Sequence, residues 1–240
     1  MSDSDKDNIK RIRPVAYIHN DYREKFGIPR QAGINGLAVS RITFTEEYSD
    51  PSALEGLELF SHIWLIFGFS ENDDNEKLRV KPPRLGGNER IGVFATRSPF
   101  RPNGLGLSSV KIKSILIEDG APVIEVYGAD LMDGTPIYDI KPYLPLFDIR
   151  EDAVNHLEEK MNDLTLDVNV PEELLDILPE EKRAPLKELL TNDPRPQYKR
   201  NRDERYAFRY GEFDVRFSVK GHELTVEEIV MGDDTMKLIK

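Results

Sequence analysis

The chain contains no cysteine. That absence excludes disulfides, thiol nucleophiles and cysteine-ligated zinc together. Histidine is almost as scarce. His19, His62, His156 and His222 stand far apart without metal-ligand spacing, so no metal is expected. Long apolar runs are also missing. The longest, Ile63 to Phe69, falls well short of the ~20 residues a membrane helix requires. The first residues, Met1 to Asp7, are polar and acidic, unlike a secretion signal. A soluble, cytoplasmic protein with no membrane partner is therefore expected. A basic excess is absent too: 44 acidic residues against 33 basic ones give a net charge of −11 in 240 residues. Such a balance argues against a general nucleic-acid coat, though not against local basic patches. The phosphate loop G-x-x-x-x-G-K-[ST] and the G-x-S-x-G elbow do not occur. Gly104-Leu105-Gly106 fails as a dinucleotide fingerprint, because Ser109 stands where its third glycine belongs. Glu71 to Glu76 lacks the alternation of a calcium loop and reads as a solvated turn.

What is present is concentrated in one stretch. Arg84-Leu85-Gly86-Gly87-Asn88 leads into Ile91-Gly92-Val93-Phe94-Ala95-Thr96-Arg97-Ser98-Pro99-Phe100-Arg101-Pro102-Asn103-Gly104-Leu105-Gly106. This mixture neither packs a core nor propagates a helix. Glycines permit left-handed turns and close backbone approach, and prolines lock the turns between them. Arg97 and Arg101 are fixed-fork cations suited to carboxylate or phosphate. Two readings stand at this point, a structural loop and a ligand-binding centre.

The chain around it is rich in short strands. Ile12–His19, Leu37–Phe44, Ser61–Phe69, Arg90–Phe94, Leu107–Ile117, Val123–Gly128 and Ile137–Pro145 all read as extended. Ser61–Phe69 is apolar enough to be buried on both faces, with His62 as a core histidine. Pro51–Phe60 is a short helical candidate with Leu54, Leu57 and Leu59 as its apolar face. Many short strands between turn signals favour a β-barrel over residues 11–148, after a tail at 1–10. Residues 149–167 read as a linker. A small α+β domain follows at 168–240, with helices opening at Pro171 and Glu180 and strands at Tyr206–Tyr210, Asp214–Lys220 and Glu223–Val230. The fold class is mainly β, an N-terminal barrel with a small C-terminal α+β domain.

Charge is unevenly spread. Lys77 to Arg101 holds seven basic residues against Glu89 alone, and Arg195 to Arg209 holds six against Asp203 and Glu204. Tyr198, Tyr206 and Phe208 are interleaved in the second block, where they would stack on unpaired bases or point into the sheet. Together the two islands favour RNA or another phosphate ligand; each alone also fits a solvated face.

The central stretch closely resembles the TrmO family of β-barrel tRNA methyltransferases. The likeness extends to Lys25–Gly33, Leu57–Trp64, Asp130–Pro136, Asp139–Pro145 and Asp193-Pro194-Arg195-Pro196-Gln197-Tyr198. Gly104-Leu105 departs from it, standing where the family commonly has Pro-Ile. The resemblance implies S-adenosylmethionine-dependent methylation of N6 of threonylcarbamoyl-adenosine at position 37, in the tRNA anticodon loop, by a homodimer. It implies methyl-donor contacts at Gln31, Ala32, Gly33, Ser70, Glu71, Arg97, Leu107, Leu131, Met132, Asp133 and Gly134. Asp133 or Asp139 is the expected base. Arg101, Asn103, Arg195, Arg200 and Arg202 are expected at the tRNA. Methylation of another substrate, and a donor- or RNA-binding module without chemistry, are the competing readings.

Overall fold

The computed structural model describes residues 10–70, 77–82, 89–156, 165–195 and 204–232. The first unit is built from β1 (Ala16–His19), β2 (Val39–Phe44), β3 (His62–Gly68), β4 (Arg79–Val80), β5 (Ile91–Gly92), β6 (Leu105–Glu118), β7 (Ala121–Tyr127) and β8 (Pro136–Pro142). Six of these strands pair in the order β1-β2-β7-β6-β3-β8, and the sequence of pairings closes where β8 meets β1, with Ala16 opposite Ile137. Alternating β-branched and large apolar residues turn inward along each strand. Ala16, Ile18, Ile42, Ile63, Leu65, Val110, Ile124, Val126 and Ile137 form the enclosed core. The β6–β7 hairpin turns at Asp119-Gly120, both with positive φ, as a tight two-residue hairpin turn requires.

Several local expectations change. β3 alternates instead of being buried throughout: Ile63, Leu65 and Phe67 face the core, whereas His62, Trp64 and Ile66 are half-buried. Tyr143 covers the Trp64 ring at 5.3 Å, and the indole Nε1 donates to Asp148 at 3.0 Å. Asp148 belongs to a one-turn helix, α1 (Pro145–Asp148). Gly56 takes φ 86 and divides the expected Pro51–Phe60 helix into two 3-10 turns, Pro51–Leu54 and Leu57–Leu59. Leu59 then points to solvent, 80% exposed. The expected Arg90–Phe94 strand shortens to β5, which pairs with β4 alone among the described residues, before a 3-10 turn at Val93–Ala95.

The second unit contains β9 (Asp167–Asn169), α2 (Glu172–Leu175), α3 (Glu180–Thr191), β10 (Arg205–Tyr210), β11 (Phe213–Lys220) and β12 (Glu223–Met231). Its sheet runs β10-β11-β12-β9, the last pair parallel. Pro185 lies inside α3 and is buried with Leu186, Leu189 and Leu190. The unit starts earlier than its sequence suggests, because Leu166 is buried in its core and Asp167 already pairs with Glu223.

The segment between β1 and β2 joins the two units. Tyr22 and Ala38 are buried in the second core, with Phe26 and Ile28 packed against it. Phe26 stacks on Tyr206 at 6.5 Å and meets Phe208 edge-on at 6.0 Å. A side chain at Gly27 would come within 2.7 Å of the Phe208 ring. Tyr22 and Tyr210 form a backbone bridge.

Candidate active site

The segment from Asp21 to Leu37 has no regular structure, so many of its polar groups are satisfied from outside it. The second unit does much of this. Lys182 Nζ donates to Asp21 at 2.6 Å, and the Gly211 N–H to the Asp21 carbonyl at 2.8 Å. The Arg209 N–H donates to Glu24 at 2.8 Å, and the Leu37 N–H to Glu188 at 2.9 Å. Arg30 Nη2 reaches the carbonyls of both Asp193 and Arg195 at 3.0 Å. On the other side the Gly33 N–H donates to the Gly128 carbonyl at 2.8 Å. Gln31, Ala32 and Gly33 are thereby suspended between the units.

Arg97 meets this loop. Its guanidinium donates to Gln31 Oε1, and Gln31 Nε2 donates to the Arg30 carbonyl at 2.7 Å. Arg97 is otherwise exposed and retains donors for a planar anion. The turn that carries it is internally tied: Thr96 Oγ1 donates to the Val93 carbonyl, the Ser98 N–H to Thr96 Oγ1 and Arg101 Nη1 to the Thr96 carbonyl. Asn103 and Gly104 both adopt left-handed conformations, φ 64 and φ 54. Proline is locked near −65° and cannot take the second, so the Gly104-Leu105 departure gives this turn its own geometry. The Gly104 carbonyl accepts from the Phe69 N–H at 2.9 Å, which sets Ser70 at the exposed end of β3.

The turn at Leu131–Gly134 is held by the β1 region. Its backbone N–H groups at Asp133 and Gly134 donate to the carbonyls of Tyr22 and Ile18, and the Leu131 carbonyl accepts from Asn20 Nδ2. Asp133 itself is well partnered: Arg23 pairs with it, the Asn20 N–H donates at 3.1 Å and His19 Nδ1 stands at 3.6 Å. Asp139, on β8, is half-exposed and pairs with Lys141 at 2.9 Å. Leu107, on β6, is 56% exposed and leaves an apolar side chain open on the surface.

The expected tRNA residues separate. Arg101 and Asn103 lie on the central turn, Asn103 exposed. Arg195 contradicts the expectation. Only 3% of its side chain is exposed; Nε and Nη2 donate to Asp193 at 2.8 and 3.1 Å, and the guanidinium lies 5.6 Å from the Tyr206 ring centre. A cation paired inside the protein serves the fold and does not face a phosphate. Tyr206 and Phe208 are likewise buried in the second core, not available for base stacking. Glu71, Arg200, Arg202, Tyr198 and residues 84–88 lie outside the described residues.

Sequence reasoning missed Asp130, Ser108 and Arg30 as members of this arrangement. Asp130 accepts from Ser108 Oγ at 2.6 Å, and the Ala32 backbone and the charge of Arg97 also favour its ionised form. Burial pushes its carboxyl above the ordinary range, opposed by those partners. Its place at the head of the Asp130–Pro136 motif was the available signal. No group of three or more metal-ligating side chains occurs among the described residues.

Comparison with known proteins settles the family. The model of the tRNA-methyltransferase O N-terminal domain matches residues 17–149, and that of the TrmO C-terminal domain matches residues 164–232. The chain belongs to the TrmO family. It is 37% identical to the tRNA (adenine(37)-N6)-methyltransferase of Escherichia coli (strain K12), over 87% of this chain and 93% of that protein. It is 38% identical to a putative S-adenosylmethionine-dependent methyltransferase, RcsF, of Pseudomonas aeruginosa PAO1, over 93% and 98%. The crystal structure of TrmO from P. aeruginosa superposes with a TM-score of 0.75 at 31% identity, covering 93% of this chain and 98% of that one. The TrmO fold is thus mainly β with few helices, as the strand-rich sequence suggests. No helix among the described residues is long and apolar enough to cross a membrane.

Proposed function

We propose that this protein transfers a methyl group from S-adenosylmethionine to N6 of adenosine 37 of tRNA, with the threonylcarbamoyl-modified base in the anticodon loop as substrate. One observation carries the reading: both family domains are present in one chain, and the loop that the first would use for the donor is fastened to the second. The closed sheet is read as the donor-binding barrel. A homodimer working in the cytoplasm, where tRNA is available, completes the proposal.

The residues present fit the donor. Arg97, oriented by Gln31, offers free N–H groups to its carboxylate. Exposed Leu107 offers an apolar surface to its adenine, and the backbone at Leu131–Gly134 supplies polar groups around it. Ala32, Gly33, Ser70, Glu71 and Met132 are assigned to the same pocket. When bound, the donor supplies a methyl group already activated by its sulfonium.

The chain's own task is to hold the target nitrogen in line and to accept its proton. Positioning of this kind contributes up to several kcal/mol. Asp139 is assigned as the proton acceptor, because it has one ion pair, accepts one N–H from the adjacent Ile140 and is 47% exposed, whereas Asp133 is engaged by Arg23, His19 and Asn20. Asp133 is assigned to shaping the donor turn. Arg101, Asn103, Arg200 and Arg202 are assigned to the tRNA side. The test is incubation with labelled donor and tRNA that carries or lacks the threonylcarbamoyl group. Label confined to the modified tRNA supports the proposal. Equal label in both refutes the modified base as substrate, and donor binding without transfer to either refutes the enzyme. Unchanged turnover in Asp139→Asn rules out Asp139 as base.

A further inference from the structure

We propose that Lys141 is a specificity-determining residue of this site, the cation that takes the free carboxylate of the threonylcarbamoyl group on N6. The inference rests on the substrate reading above, with Asp139 as proton acceptor, and adds to it the residue that tells a modified adenosine from an unmodified one.

Strand register lays out the outer face of the closed sheet. Ile66 on β3 stands opposite Leu107 on β6 and opposite Asp139 on β8. Residues directly opposite in antiparallel strands share a face, so Leu107, Ile66 and Asp139 form one row. The next pair on β3 and β8, Leu65 and Ile140, turns to the core. One step further Trp64 stands opposite both Ser109 and Lys141, which make the second row. The leucine assigned to the donor and the carboxylate assigned to N6 thus flank the same residue, and Lys141 lies beside that carboxylate on the same face of β8. Trp64, in the middle of the second row, is held by Tyr143 over its ring at 5.3 Å and by Asp148 on its Nε1 at 3.0 Å.

The length of the substituent matches this step along the strand. From N6 a carbonyl carbon, a nitrogen and the threonine Cα lead to the carboxyl carbon, about 5 Å away when extended at standard bond lengths. Two residues of strand span about 6.6 Å. An N6 placed at Asp139 therefore brings the carboxylate into reach of the Lys141 ammonium. Without substrate, Lys141 Nζ lies 2.9 Å from Asp139 Oδ2, with the two side chains 60% and 47% exposed. An ion pair so open to water contributes little to stability, so the lysine exchanges one carboxylate for another at little cost. The exchange leaves Asp139 Oδ2 unpaired beside the N6 proton, while Oδ1 keeps the Ile140 N–H at 3.0 Å.

Ligated tRNA that carries threonylcarbamoyl-adenosine at the target position, or the same group with its carboxylate replaced by a carboxamide, isolates the charge that Lys141 would read. Methyl transfer to each tRNA is measured as kcat/KM with the full-length wild type, Lys141→Met and Lys141→Arg. The wild type is expected to prefer the carboxylate by about tenfold, the worth of one charge-assisted hydrogen bond at a solvent-open site. In Lys141→Met the preference falls to within about twofold, and Lys141→Arg restores most of it. A wild type that methylates both tRNAs alike overturns the proposal, as does a preference that survives in Lys141→Met. Equal loss on both tRNAs in Lys141→Met also overturns it, because the lysine then serves Asp139 alone. A surviving preference with a shallower salt dependence of tRNA binding overturns it by assigning Lys141 to a phosphate. Methylation of neither tRNA by the wild type refutes the substrate reading itself, and the proposal with it.

Discussion

The Asp193–Arg195 pair is the point at which stability and function are most tightly joined, and Asp193→Asn tests it. Both side chains are almost fully enclosed, at 1% and 3% exposure. The aspartate accepts the Arg195 backbone N–H at 3.2 Å as well as Nε and Nη2. Asp193 also has φ 46, a left-handed conformation that asparagine tolerates well, so the substitution removes charge without straining the backbone. Breaking a buried pair by removing one partner costs about 3–5 kcal/mol, because the remaining charge is left uncompensated. Asparagine keeps an acceptor oxygen, which puts the expected loss near the lower figure. With a urea dependence of about 2 kcal/mol per molar, the unfolding midpoint should fall by roughly 1.5 M. Arg30 grips the carbonyls of these same two residues, so donor affinity should fall with it. Arg195→Gln should destabilise comparably and leave the salt dependence of tRNA binding unchanged. A midpoint shift below about 0.5 M would refute the enclosed pair, and a salt slope reduced by about one would return Arg195 to a phosphate.

Three further outcomes follow from local geometry. Gly104→Ala places a side chain at φ 54 with open space around it, so it should destabilise by about 1–2 kcal/mol from backbone strain alone; an unchanged melting temperature contradicts the left-handed turn. Gly106 lies flat against the Phe67 ring, so Gly106→Ala should destabilise by about 1–3 kcal/mol through overpacking, and the double variant with Phe67→Leu should recover part of it in urea titrations. Burial pushes the pKa of the Tyr22 and Tyr210 phenols well above their ordinary value. The unfolded chain releases these protons from about pH 10 upward while the folded chain keeps them, so stability falls as pH rises past 10. Tyr210→Phe should reduce that slope in alkaline melting curves, and an unaltered slope refutes the assignment.

Much of the architecture was legible in the sequence because its signals are local. Alternation located β6, extended runs located β2, β7 and β8, and the proline and carboxylates at Pro171–Glu173 located α2. The errors have physical causes. Pro51–Phe60 has helical spacing, but Gly56 in a left-handed conformation breaks it. The run His62–Gly68 is apolar on both faces because its outer face is covered by local partners such as Tyr143 over Trp64. Arg195 looked like part of a basic surface because its counter-ion lies two residues away, and sequence cannot show that both turn inward. Arg97 and Gln31, 66 positions apart, were expected in one site and do meet through a hydrogen bond. The fastening of their loop to the second unit was not legible, since it depends on Arg30, Glu24 and Leu37 finding partners more than 150 residues later.

The central claim is methyl transfer to N6 of adenosine 37, and mass spectrometry of the tRNA nucleosides after incubation with donor tests it most directly. The account predicts one added methyl group on the threonylcarbamoyl-adenosine nucleoside, and its loss when Arg97 is replaced by alanine in a protein that still folds. A nucleoside of unchanged mass, from tRNA known to carry the modification and with donor shown to bind, would contradict it.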